Sequence, residues 1–144
     1  MPTFDILRES KPEKTFRVAS VMGKFDLQTE HIKEHFQGSI DMPNNWQIGL
    51  IVGSSGTGKT TIAKELFSNA YVTKFNYKAE TILDDMPEDK SVNDITQIFN
   101  SVGFSSPPSW LKPYSVLSNG QKMRVDLATA LLRDDKLIVF DEFT

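Results

Sequence analysis

Residues 53–60 read Gly53, Ser54, Ser55, Gly56, Thr57, Gly58, Lys59 and Thr60, the glycine, four residues, glycine, lysine, hydroxyl order of a phosphate-binding loop. No other segment constrains the fold as strongly. Such a loop needs a strand before it and a helix after it, so that backbone N–H groups and the positive end of the helix face the same phosphate. Gln47 to Val52 is a mostly apolar run suited to that strand, and Ile62, Ala63, Leu66, Phe67 and Ala70 then share one helical face. The chemistry requires these residue types. The glycines let backbone N–H groups curl around phosphate oxygens, Lys59 reaches the β- and γ-phosphates, and the Thr60 hydroxyl can hold Mg²⁺. Thr61 extends the cradle into the helix. A glycine turn that binds nothing is the bland alternative, and a nucleotide is the first ligand to consider.

Composition excludes several other classes. The chain has 144 residues, 39% of them hydrophobic, enough for one globular domain with a modest core, and no apolar stretch approaches the roughly 18 residues of a membrane span. Met1 to Lys14 alternates charged with apolar residues and offers no secretory signal, so a cytoplasmic location is the expectation. The absence of cysteine removes disulfides, thiolate metal sites and thiol nucleophiles. A net charge of −3 with scattered lysines and arginines gives no general attraction to polyanions, and nucleic-acid binding is not favoured.

Upstream of the loop, Met1 to Lys14 reads as a polar arm and Thr15 to Val21 as a strand, with Phe16 and Val18 alternating with Arg17 and Ala19. A short helix is expected after Thr29, with Ile32 and Phe36 four apart and Gly38 near its end. Downstream, Tyr71 to Phe75 and Thr81 to Leu83 are candidate short strands. Ser91 caps a helix whose apolar positions are Ile95, Ile98, Phe99 and Val102, with Gly103 just beyond it. Pro107, Pro108 and Pro113 mark a turn-rich connector.

Leu117, Ser118, Asn119, Gly120 and Gln121 precede a helical stretch to Arg133 in which Met123, Leu127, Ala130 and Leu131 share a face. Ser118 and Gln121 have capping-box spacing, so a plain helix start accounts for them locally. Together with the upstream loop, however, the segment resembles the signature motif of the ATP-binding cassette (ABC) ATPases, with Asn119 in place of a usual glycine. Asn tolerates left-handed backbone better than most residues, which accommodates the departure. The resemblance implies that Ser118, Gly120 and Gln121 face ATP held by a second subunit.

Leu137 to Phe140 followed by Asp141 and Glu142 reads as a buried parallel strand ending in two acids, although acids commonly end strands on solvent. Carboxylates at that end of a strand project into the crevice where α/β sheets bind ligands. Asp141 is then the Mg²⁺ residue and Glu142 the group that polarises the attacking water. The three ordered motifs cover about Gln47 to Thr144. They imply an α/β P-loop domain spanning residues 1–144, a mainly parallel sheet flanked by helices, and a reduced helical subdomain over 76–133. The implied function is Mg-ATP binding and hydrolysis coupled to a nucleotide-sandwich dimer, either a homodimer or a pair with a partner ATPase subunit, with a separate membrane or effector subunit as a further partner.

Several positions depart from the family pattern. The interval from Lys59 to Ser118 is short for a transporter-type cassette. Gln97 falls inside a helix, which leaves Asp84 and Asp85 as weak stand-ins for the family's glutamine loop. The adenine-stacking aromatic is assigned to Phe25, with Phe36 and Phe16 as alternatives. Only Phe143 and Thr144 follow the acidic pair, and both histidines lie upstream, so the expectation is a truncated chain that binds nucleotide more readily than it hydrolyses it. Three competing readings stand beside this one: a dimerisation switch with little turnover, a P-loop phosphotransferase using Asp84 or Asp85 as base, and a zinc site at His31, Glu34 and His35.

Overall fold

A computed structural model of the chain describes residues 2–28, 33–73 and 75–141. It is an α/β arrangement of two compact units, Met1–Ser68 and Asn69–Thr144.

In the first unit, β1 (Thr3–Glu9) pairs antiparallel with β2 (Lys33–Ser39), in a register that sets Ile6 opposite Phe36 and Arg8 opposite Glu34. Within the segment read as a loose arm, Thr3–Glu9 is therefore a strand, and Phe36 and Gly38 lie in a strand where a helix was expected. The cause is non-local. Phe4, Ile6, Phe36 and Gly38 share one face, and that face closes over α2 (Lys59–Leu66), so tertiary burial selects the period of two. Thr29 and Ile32 lie outside the described residues.

Thr15 to Val21, expected as a strand, belongs to α1 (Phe16–Lys24). Thr15 is its N-cap, the side chain accepting from the Val18 amide at 3.3 Å, and this bond gives the helix a start that alternation alone did not reveal. Gln47 to Val52 is not assigned as a strand. Ile48, Leu50 and Val52 are 92%, 82% and 78% exposed.

The second unit is mainly helical, with α3 (Val92–Ser101), α4 (Pro107–Trp110), a 3₁₀ turn at Tyr114–Val116 and α5 (Asn119–Leu131). The prolines of the connector start α4 instead of only breaking structure, since proline at the first helical positions surrenders an N–H that has no partner there. Ile82, Met86, Ile95, Phe99, Phe104, Leu117, Val125, Ala128 and Leu132 form the core. Phe99 meets Phe104 edge to face at 5.3 Å, and the Trp110 indole N–H donates to the Phe104 carbonyl at 2.7 Å. Thr81 to Leu83, expected as a strand, is a turn, because the Thr81 hydroxyl donates to Asp84 at 2.6 Å and accepts from its amide at 3.2 Å.

The end of α3 shows how sequence fixes a stop. Gly103 has φ +79°, its amide donates to Asn100 O at 3.1 Å, and the Phe104 amide donates to Phe99 O at 2.8 Å. This is the double bond pattern of a left-handed helix terminus, with the Phe99 and Phe104 rings supplying the apolar contact that accompanies it. A Cβ on Gly103 would meet only Arg124 Nε, at 3.7 Å. The cost of Gly103→Ala is therefore conformational, about 1 kcal/mol. Urea unfolding should show a lower midpoint with an unchanged slope, and an unchanged midpoint would contradict the role of the left-handed residue.

Among the described residues of Tyr71 to Phe75, also expected as a strand, the pairing is a parallel bridge between Tyr71 and Val139, with Val72 N donating to Val139 O at 2.9 Å and Val139 N to Ala70 O at 2.8 Å. Among the described residues, the parallel sheet implied by the resemblance is represented by this bridge, and the assigned sheet is the antiparallel pair. Also among the described residues, no helix is long and apolar enough to cross a membrane.

Candidate nucleotide-binding site

The loop between Val52 and α2 takes its form from its glycines. Gly56 and Gly58 have φ +79° and +81°, and Gly58 is the N-cap of α2. A Cβ on Gly58 would lie 2.7 Å from the Phe36 ring, and one on Gly53 would lie 2.9 Å from the Thr57 hydroxyl, so both positions also exclude side chains sterically. Thr57 Oγ1 donates to Ser54 O at 2.8 Å, and Lys59 Nζ donates to Gly53 O at 2.8 Å and Ser54 O at 2.7 Å. The ammonium is thus folded onto the carbonyls of its own loop, within reach of any anion that replaces them as acceptor. Ser54, Ser55, Gly56, Thr57 and Thr60 are exposed, and Thr61 Oγ1 accepts from Arg8 Nη1 at 3.2 Å.

Of the aromatic candidates, Phe36 is the one whose ring lies against the loop, at Gly58. Phe25 terminates α1, 63% exposed, with the Lys24 ammonium 5.9 Å from its ring centre, and Phe16 opens the same helix, also exposed.

In the second unit the signature segment forms the cap its spacing implied. Ser118 is the N-cap of α5; the Gln121 amide donates to its hydroxyl at 3.3 Å, and its own amide donates to Gln121 Oε1 at 3.0 Å. Gln121 Nε2 reaches the buried Ser109 hydroxyl at 3.4 Å. Asn119 is the first residue of α5 and has no positive φ, so the left-handed backbone invoked for it is not used: an N-terminal helical position suits asparagine without it. Gly120 is open on its Cβ side. A cleft of about 790 Å³ is lined by Asn119, Gly120, Lys122, Met123, Asp126, Phe140 and Asp141, which brings the signature segment and the first acid of the pair to one surface.

Asp141 Oδ2 accepts from the Tyr71 hydroxyl at 2.7 Å. Nothing local flags that partner, 70 positions away in sequence. Glu142 lies outside the described residues. Asp126 collects two phenols, Tyr77 at 2.9 Å and Tyr114 at 3.0 Å, with the two rings stacked at 4.2 Å. Burial first, then the neighbouring carboxylate, pushes both phenols well above the usual tyrosine range, so they remain hydrogen donors. The sequence reading missed this cluster, because tyrosines far apart in sequence carry no local signature.

The acids proposed as base or glutamine-loop substitutes have structural partners. Asp84 bonds Thr81, and Asp85 Oδ1 accepts from the amides of Lys78 and Ala79 at 2.8 and 2.9 Å, clamping the preceding loop. Gln97 is an exposed residue of α3. The zinc reading needs a helix, yet Glu34 and His35 are consecutive residues of β2 and face opposite sides. His35 Nε2 is bonded to Asp5 Oδ1 at 2.5 Å, and His31 lies outside the described residues.

Residues 67–144 match the ABC transporter family. The chain is 24% identical, over 93% of its length, to a putative ABC transporter ATP-binding protein of Enterococcus faecalis. It is 27% identical, over 88% of its length, to an uncharacterized ABC transporter ATP-binding protein of Haemophilus influenzae. It spans 30% and 62% of the lengths of these two relatives. No solved structure matches the chain.

Proposed function

The chain belongs to the ABC transporter family, and from that premise we propose that it binds Mg-ATP at Gly53–Thr61 and hydrolyses it in a nucleotide-sandwich dimer. The observation that carries the reading is the Lys59 ammonium held on two loop carbonyls beneath an exposed, glycine-built cradle. Phosphate oxygens are better acceptors for an ammonium than neutral carbonyls, so nucleotide exchanges two neutral partners for a charged one. Thr60 and Asp141 are hard oxygen donors of the kind Mg²⁺ takes, and the bound ion would neutralise charge on the β- and γ-oxygens. Glu142 is the base. We place adenine beside the β2 aromatic Phe36 in preference to Phe25, since Phe36 is the one that packs on the loop.

Ser118 and Gly120 then complete the site of a second subunit, which is either another copy or a partner ATPase, and closure acts on a separate membrane or effector subunit. The exposed N-terminus of α5 supports this, since the positive end of a helix favours phosphate. Ser118→Arg should leave the affinity for Mg-ATP within about twofold while abolishing ATP-driven association and the turnover that depends on it. The lost cap itself costs only about 0.5–2 kcal/mol. Equilibrium nucleotide binding measured beside phosphate release separates the two effects. Undiminished turnover would reduce the segment to a helix cap.

A further inference from the structure

Arg8 lies on the face of the β1–β2 pair that covers the start of α2. In the antiparallel register Phe4, Ile6 and Arg8 oppose Gly38, Phe36 and Glu34. The Phe4 ring lies over Gly38 and the Phe36 ring lies against Gly58, so the position of Arg8 is set by packing at the junction of loop and helix. From there its Nη1 donates to Thr61 Oγ1 at 3.2 Å, in the first turn of α2. The guanidinium is exposed there, with Glu34 opposite it across the strand pair. The N-terminus of a helix carries partial positive charge and favours anions. The hydroxyl partner is neutral, and among the described residues no carboxylate lies within ion-pair distance of Arg8.

We propose that Arg8 is a nucleotide-positioning residue whose guanidinium, delivered by β1, bonds the α-phosphate of the nucleotide; the proposal rests on the assignment of Gly53–Thr61 as a nucleotide site. In the proposed site Lys59 would serve the β- and γ-phosphates, and Mg²⁺ held by Thr60 and Asp141 would neutralise charge on the same two groups. The α-phosphate is the member of the chain without a cation. Thr61, to which Arg8 is tethered, follows Lys59 by about half a helical turn in α2. A planar guanidinium that already holds a hydroxyl retains further N–H donors for an oxyanion, which a single ammonium on a flexible stem would not present with the same geometry. The unpaired charge at a helix start thus becomes a paired one when nucleotide enters. It also makes the β1–β2 pair part of the binding site instead of a cover over its helix.

The test is calorimetric titration of the full chain with Mg-ATP and with Mg-ADP, for the parent, Arg8→Met, Arg8→Lys and Lys59→Ala. Arg8→Met keeps an unbranched apolar stem in place and removes the charge. It should weaken ATP and ADP equally, by about tenfold, the scale of one charge-assisted hydrogen bond. It should also flatten the salt dependence of affinity, and Arg8→Lys should recover part of both. A loss confined to ATP would overturn the α-phosphate assignment. A loss with unchanged salt dependence and no recovery in Arg8→Lys would make Arg8 a structural residue only. Parental binding by Arg8→Met, with binding lost in Lys59→Ala, would refute the role of Arg8 alone. Parental binding by Lys59→Ala would overturn the nucleotide site and this proposal with it.

Discussion

Glu142→Gln in the full-length protein should keep Mg-ATP bound and slow phosphate release by about 10² or more, the lower range for loss of a general base. The substitution preserves shape and removes only the capacity to accept a proton from the attacking water. Asp141, one residue earlier in sequence, accepts a hydrogen bond from Tyr71 beside a parallel bridge that fixes Val139, so the segment up to Asp141 is anchored by its own contacts. Binding and turnover should therefore separate in this variant. Single-turnover phosphate release measured beside nucleotide affinity checks it. Release at the parental rate would mean that Glu142 is not the base.

Lys59→Ala should weaken Mg-ATP and Mg-ADP together, by roughly 10- to 100-fold, the range for removing a hydrogen bond to a charged group. Two effects act in the same direction. In the proposed site the positive charge that would meet the β-phosphate is lost, and the carbonyls of Gly53 and Ser54 lose the ammonium that holds them. Because both bonds are exposed, the fold should be little affected, and an unchanged thermal transition distinguishes loss of ligand from loss of structure. Competition against a fluorescent nucleotide reads the affinity directly. Parental affinity in the alanine variant would remove the phosphate-loop assignment.

What the sequence disclosed, and what it withheld, follows from the range of the interactions involved. The helices α3 and α5 were legible because both begin with capping boxes, at Ser91 with Asp94 and at Ser118 with Gln121, and because α3 stops at a glycine. Every group in those signals lies within a few positions of its partner. The glycine-built turn before α2 was legible for the same reason, its glycines, lysine and hydroxyls being contiguous. The β1–β2 pair was not. Phe36 and Gly38 fit a helix end as readily as a strand until Phe4 and Ile6, some thirty positions away, are set opposite them. Thr15 was misread because a threonine before alternating residues suits a strand, and only its bond to the Val18 amide makes it a cap. Arg8 on Thr61 and Phe36 on Gly58 in the first unit, and Tyr71 on Asp141 in the second, are all products of chain folding, and no spacing rule reaches across such separations.

The sandwich itself is tested most directly by sedimentation velocity of Glu142→Gln full-length protein in Mg-ATP and in Mg-ADP. A site completed by Ser118 and Gly120 of a second subunit requires the γ-phosphate as the bridging group. The ATP sample should therefore sediment as a dimer while the ADP sample remains monomeric, and Ser118→Arg in the same background should remain monomeric in both. Equal sedimentation in ATP and ADP, or a dimer that survives Ser118→Arg, would contradict closure of two copies of this chain around a shared nucleotide.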